Sequence, residues 1–143
     1  MDIKYKEAKT INEFIDAIRI RIDVFINEQK GKPGWEPDEY DKNSKHFIAI
    51  FNKKVVSTAR VRETANKEYK IERMATKKKY RNKGISQGLV EFIINHLDEF
   101  KPKKIWMQSQ VQVQKFYEKC GFRATSSPYD LYGIPHIDMV LKK

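Results

Sequence analysis

Residues 69–97, YKIERMATKKKYRNKGISQGLVEFIINHL, decide how this chain is read. Tyr69 and Ile71 alternate with Lys70 and Glu72, as apolar and polar residues do along a half-buried strand, which the pattern predicts over 69–76. Lys77-Lys78-Lys79-Tyr80-Arg81-Asn82-Lys83 then forms the densest basic run of the chain, and Gly84 ends it. Beyond the glycine, Ile85, Leu89, Val90, Phe92, Ile93 and Leu97 recur at three- and four-residue steps. That spacing predicts an amphipathic helix, closed by Lys101-Pro102. A helix start offers backbone N–H groups without intrahelical partners and a partial positive charge, and a glycine there lets a phosphate approach the backbone. The segment therefore reads either as a diphosphate cradle or as a solvated basic turn before a surface helix. It is not a P-loop, because the Gly-Lys-Ser/Thr ending is missing, nor a three-glycine dinucleotide fingerprint.

N-terminal to this stretch, residues 3–6 alternate as a short strand, and Thr10-Ile11-Asn12-Glu13 has the spacing of a capping box. Ile11, Phe14, Ile15, Ile18, Ile22, Phe25 and Ile26 predict one apolar face of a helix running to about Gln29. Residues 30–44, with Gly31, Pro33, Gly34 and Pro37, break it and read as a long loop carrying the acids Glu36, Asp38, Glu39 and Asp41. Strands are expected at 46–51 and 55–62, joined by the hairpin signal Asn52-Lys53-Lys54, so with 69–76 an antiparallel meander forms. On the C-terminal side a strand is expected at 104–109. A helix follows through Val113, Phe116, Tyr117 and Cys120 to a left-handed cap at Gly121, and last strands lie at 122–126 and 134–141 around a turn-rich stretch with Pro128 and Gly133. The order of elements predicts a mixed α/β sheet.

The 143 residues have room for a single domain, 1–143, with a sizeable core. Lys and Arg outnumber Asp and Glu by 29 to 19, a formal +10, which makes a polyanionic partner the first class to test. The surplus is uneven, with nine basic and ten acidic residues in 1–50 but twenty and nine in 51–143. With 40% hydrophobic and 12% aromatic residues the chain stands apart from the disordered class. No apolar stretch approaches the roughly 20 residues that span a bilayer. The opening residues lack the basic region and apolar core of a secretory signal. One cysteine, Cys120, builds neither an internal disulfide nor a cysteine-based metal site, so a reducing cytoplasm is expected, with no metal and no membrane partner.

Arg81-Asn82-Lys83-Gly84-Ile85-Ser86 resembles the Gln/Arg-x-x-Gly-x-Gly/Ala signature of the GNAT acyltransferases, with Ser86 standing where Gly or Ala is usual. Residues 110–122, QVQVQKFYEKCGF, are similar to the family's closing pattern, a helix ending Phe-Tyr-Glu-Lys-x-Gly-Phe. Further blocks at 21–29 (RIDVFINEQ), 36–41 (EPDEYD) and 133–139 (GIPHIDM) resemble the ElaA-type subgroup. The resemblance implies the GNAT acyl-CoA N-acyltransferase fold, an α+β architecture with a mixed, mostly antiparallel central sheet of six to seven strands flanked by helices. It implies an acetyl-CoA dependent N-acetyltransferase, in which a primary amine on a small molecule or peptide attacks directly in a ternary complex. Residues 81–86, Arg81, Asn82, Lys83, Gly84, Ile85 and Ser86, then bind the pyrophosphate, and the backbone of Met74, Ala75 and Thr76 pairs with the pantetheine arm. Gln110 holds the pantetheine or the helix start. Tyr117 donates a proton to the coenzyme A thiolate, and Glu72 stands where some relatives carry a catalytic glutamate.

On the acceptor side the candidates are Glu28, at the end of the first helix, and His46 and His136, whose residue type suits proton transfer near neutral pH. The loop acids 36, 38, 39 and 41 would favour a cationic amine if they line the pocket. Cys120 is expected to be a buried structural thiol. Two other readings remain at this point: a coenzyme A binding member with a regulatory role, and a nucleic-acid binding module using the basic run. The second is disfavoured, and no nucleic acid is expected as partner, because the lysines feed one helix start with no aromatic-rich strand beside them. Monomer and homodimer are both left open.

Overall fold

In a computed structural model that describes residues 2–142, β1 (Ile3–Glu7) leads into α1 (Ile11–Arg21) and a π-wound segment, Ile22–Glu28. The meander β2 (Lys45–Phe51), β3 (Lys54–Ala65) and β4 (Glu68–Thr76) follows, then α2 (Ile85–Leu97), β5 (Lys104–Gln110) and α3 (Gln114–Lys119). The chain ends in β6 (Phe122–Ala124), β7 (Tyr129–Leu131) and β8 (Ile134–Leu141). The strands form one sheet in the order β1-β2-β3-β4-β5-β8-β6, with β7 on β8. All pairings are antiparallel except β4 with β5. The architecture is the mixed, mostly antiparallel sheet flanked by helices that the resemblance implies, with eight strands among the described residues where six to seven were expected. The added strand is β7, which lies in the stretch that read as turns. Tyr132 (φ 56°) and Gly133 (φ 81°) are both left-handed and close Leu131 onto Ile134, and three residues are too few to show an alternation.

The capping box forms as the spacing predicts: Glu13 N–H donates to Thr10 Oγ1 and Thr10 N–H to Glu13 Oε1, both at 3.1 Å. The buried face of the first helix is shifted from the predicted stripe, of which Ile18 is buried and Phe14, Ile22, Phe25 and Ile26 are half-buried. Ile11 and Ile15 are 70% and 41% exposed, whereas Ala17, Ile20, Arg21 and Val24 are buried. Ala17, Ile20 and Val24 pack on Ile48, Val55 and Ala75 of the sheet. A hydrophobic count passes over Ala17, which is small, and Arg21, which is charged, yet these two fit against the strands. After Arg21 the helix continues but widens, with Gln29 N–H donating to Val24 O at 2.9 Å. The opposite face of the sheet carries the larger core, in which Val61, Tyr69, Ile71, Met107 and Met139 meet Leu89, Ile93 and Leu97 of α2. Gly121 (φ 101°) ends α3 in the left-handed conformation expected of it.

Candidate active site

The parallel pairing of β4 and β5 covers only Glu68–Lys104, Tyr69–Ile105 and Lys70–Trp106. Above Lys70 the two strands have no bridge to each other, so the sheet opens between 71–76 and 107–110 and the facing backbone groups lack strand partners. β4 also carries a bulge. Thr58 pairs with Ala75 and Arg60 with Glu72, so two steps on β3 match three on β4, and Arg73 (φ 53°) takes up the extra residue. Met74, Ala75 and Thr76 follow the bulge on the edge of this opening.

The end of β4 is tied to the start of α2 by hydroxyls. Ser57 Oγ lies 2.7 Å from Thr76 Oγ1, which lies 2.6 Å from Ser86 Oγ, and Ser57 Oγ also donates to Ala75 O at 3.2 Å. Ser86 therefore has a bonding role that Gly or Ala would not supply. Gly84 is the N-cap of α2 at φ 80°, no side chain caps the helix, and a Cβ on Gly84 would meet no atom within 4 Å. The helix start consequently opens to solvent with unpartnered N–H groups and Asn82, Lys83 and Lys78 exposed around it. Ile85 is buried behind it against Ala49 and Val56. The Arg81 side chain does not reach into this space. Its Nε donates to Thr76 O at 2.9 Å, and Nη1 and Nη2 donate to Glu28 Oε2 and Oε1 at 2.5 and 2.7 Å. The Arg81 hydrogen bonds hold the Glu28 carboxyl below its ordinary range. Glu28 was expected on the acceptor side; its carboxylate is paired with Arg81 in the loop before α2.

On the face of the sheet that carries α1, the loop acids are anchored rather than free. Arg21, 1% exposed, holds Glu36 Oε1 at 3.0 Å and Asp41 Oδ1 at 2.9 Å. Arg60, 2% exposed, holds Asp38 at 2.6 Å, Asp41 at 2.9 Å and Glu72 at 2.5 Å. Arg73 reaches Glu36 at 3.0 Å and Asp38 at 3.1 Å. Glu39 is exposed and outside the network. The acidic cluster is therefore the foot of the loop, bonded to arginines that a sequence count scores only as charge. Glu72 is held additionally by Arg62 and Lys70, each at 3.0 Å. Burial alone pushes the Glu72 carboxyl up, but Arg62, Arg60 and Lys70 outweigh it and hold it at about 2. A carboxylate held so low is a poor proton acceptor near neutral pH, which removes the base role expected of it.

His46 is buried, its Nε2 3.0 Å from Asp41 O and its ring edge-on to Phe14, and burial pushes its pKa down. It pins the loop. His136 sits on β8 opposite Gln110, the last residue of β5, and its Nδ1 is 2.8 Å from Ile134 O. A carbonyl only accepts, so Nδ1 carries a proton, and in the neutral ring the lone pair is on Nε2. Its ring stacks on Tyr129, whose hydroxyl donates to Asp138 Oδ1 at 2.5 Å. Gln110 accepts at its side-chain oxygen from Gln112 Nε2 at 2.6 Å, which orders the turn into α3. Tyr117 packs between Phe116 and Phe122, with ring centroids 5.0 and 6.3 Å away. Burial pushes its phenol well above its ordinary range, and its hydroxyl bonds to no described residue. Cys120 is half-buried and pushed up to about 11, mainly by burial, so it rests as a thiol. A separate concavity of about 510 Å³ is lined among others by Glu7, Lys42, Glu63 and Phe100 and includes none of residues 71–86 or 107–110.

Residues 5–143 match a family model described as "Acetyltransferase (GNAT) domain". The chain belongs to the GNAT acetyltransferase family. A Bacillus subtilis protein described as a candidate acetyltransferase is 34% identical over 137 residues, covering 94% of this chain and 92% of its own. Escherichia coli ElaA has a crystal structure that superposes with a TM-score of 0.87 at 21% identity, covering 99% of this chain and 100% of its own. A GNAT family acetyltransferase from Elizabethkingia anophelis, solved with acetyl-CoA bound, superposes with a TM-score of 0.71 at 20% identity, covering 96% and 94%. The expected subgroup is thus found among both the relatives and the structures. The sequence motifs do not foretell the hydroxyl chain through Ser57, the Glu28–Arg81 pair or the Tyr129–Asp138 bond. Each joins residues distant in sequence or set on separate strands. No helix among the described residues is long and apolar enough to cross a membrane.

Proposed function

We propose that the protein transfers the acetyl group of acetyl-CoA to a primary amine, with both substrates held together. The observation that carries this reading is the opening of β4 from β5 directly beside the αL glycine that starts α2. The helix N-terminus, with Asn82, Lys83 and Ser86 around it, suits the diphosphate, and the edge from Met74 to Thr76 suits the amide-bearing pantetheine arm. Gln110, by ordering the turn into α3, helps frame the opposite edge. A thioester held here is an acetyl donor that a neutral amine attacks. His136 Nε2, which holds the lone pair of the neutral ring because Nδ1 faces Ile134 O, takes the proton that the ammonium must lose. Tyr117, kept protonated by burial and bonded to no described residue, gives a proton to the departing thiolate. The nitrogen loses two protons: the first, taken by His136 before attack, passes to solvent, and the second, lost as the amide forms, makes good the one Tyr117 gave to the thiolate, so one proton is released per turnover. Oxyanion stabilisation is assigned to backbone N–H at the bulge. The test is acetyl-CoA with a panel of primary amines, followed by free-thiol release and by mass of the acetylated amine. Calorimetric binding of acetyl-CoA with no thiol release across the panel sinks the catalytic reading.

A further inference from the structure

The carboxylates on the α1 face of the sheet share one property: Glu36, Asp38, Asp41 and Glu72 are each held by two or more cationic side chains. Asp138 departs from it. Its Oδ1 accepts the Tyr129 hydroxyl, and no lysine or arginine pairs with it among the described residues. A phenol donor leaves the negative charge in place. Lys70 reaches the same face, but its ammonium is bonded to Glu72 at 3.0 Å and to Gln108 Oε1 at 2.7 Å. Asp138 is half-buried and lies opposite Gln108, two positions from His136 on β8. Strand alternation puts His136 and Asp138 on one face, while Ile137 and Met139 between and beyond them enter the core. No buried side-chain oxygen lacks a partner among the described residues, so the second Asp138 oxygen is open to solvent, where an incoming cation can reach a charge that no basic side chain neutralises.

Resting on the acetyl-transfer reading, we infer that Asp138 binds a second positive charge on the acceptor, so that the substrates are di- or polycationic amines. One nitrogen reacts beside His136 while another, still protonated, pairs with Asp138. Positions two apart in a strand are separated by about 7 Å, and a four-carbon chain between two nitrogens spans a similar length. The rim of the face fits this class as well. Trp35 of the loop and Tyr132 of the β7–β8 turn meet with centroids 5.2 Å apart, and Tyr132 is 78% exposed. Exposed aromatic faces attract cations. The preference for a cationic amine, first read from the loop acids, thus moves to a residue outside that loop.

The experiment compares diaminobutane with butylamine, by thiol release and by calorimetric titration into the protein saturated with coenzyme A. Wild type should prefer diaminobutane in kcat/KM about tenfold or more, and the preference should shrink as salt is added. Asp138→Asn should lower the diaminobutane-to-butylamine ratio about tenfold, through KM, and Asp138→Glu should restore part of it. No preference in wild type overturns the inference without recourse to any variant, and so does an Asp138→Asn protein that keeps the full ratio. Thiol release from both amines without preference leaves acetyl transfer standing and overturns only the Asp138 role. Diaminobutane binding that depends on Asp138, with no thiol release from any amine, does the reverse.

Discussion

Arg81 grips both carboxylate oxygens of Glu28, at 2.5 and 2.7 Å, across 53 positions of sequence. The pair fastens the end of the π-wound segment to the loop before α2, and it sets an anion beside the uncapped helix start. Removing that anion makes the local potential more favourable for a diphosphate. Glu28→Gln should therefore tighten acetyl-CoA binding about two- to fivefold at low ionic strength, with the gain fading in high salt. Calorimetry at two salt concentrations checks this. Weaker binding would instead show that the loop needs the pair to hold its shape.

Gly84 separates backbone strain from occlusion, because at φ 80° a side chain there is strained but strikes no atom of the protein. Gly84→Ala should cost roughly 1 kcal/mol, a few degrees in Tm, and keep measurable acetyl-CoA binding. Gly84→Glu should lose binding altogether with a similar stability loss, since it adds bulk and negative charge where the phosphates are proposed to lie. Thermal melts and calorimetry on both variants distinguish the two effects.

The proposed proton route has a pH signature. If His136 is the base, kcat/KM with a fixed amine should fall toward acid pH, and His136→Gln should lower the rate and abolish that limb. Glu72 held at about 2 would place its own limb far below the range in which the wild-type rate changes. Tyr117→Phe should lower kcat about 10- to 1000-fold while acetyl-CoA affinity stays nearly unchanged. Equal rates in wild type and Tyr117→Phe would dismiss the donor role.

Stability should decline with acid in two stages. Burial lowers the His46 pKa from its ordinary 6.5, so the unfolded chain takes up that proton first and stability drops as pH falls below about 6.5. Glu72 and Asp41 are held at about 2, against ordinary values of 4.5 and 3.8, so their contribution is complete above those values and disappears as pH falls toward 2. Urea unfolding over a series of pH values measures both stages. Arg60→Ala, which strands Asp38, Asp41 and Glu72 around a lost guanidinium, should cost about 3–5 kcal/mol. A loss below about 1 kcal/mol would mean that Arg21, Arg62 and Arg73 suffice without it.

The sequence by itself determined the order of elements and the glycine-led helix start behind a basic run, because both rest on local physics. Alternation along 69–76, the helical spacing after Gly84 and the capping box at Thr10 each involve residues within one or two turns of one another. The same locality carried the two motifs that resemble the GNAT signature. What only the tertiary structure decided is which charged side chains are free. Arg21 and Arg60 are far from the loop acids in sequence but converge on them when α1 and β3 pack against one face. A cluster legible as an acceptor pocket thereby became a buried foot, and Glu72 became its counter-ion. Glu28 likewise found its partner in Arg81 of the loop before α2. Asp138 carried no signal in its own motif, since an aspartate on a strand is ordinary. It stands out only because folding gives its neighbours on that face cationic partners and leaves it with a tyrosine hydroxyl.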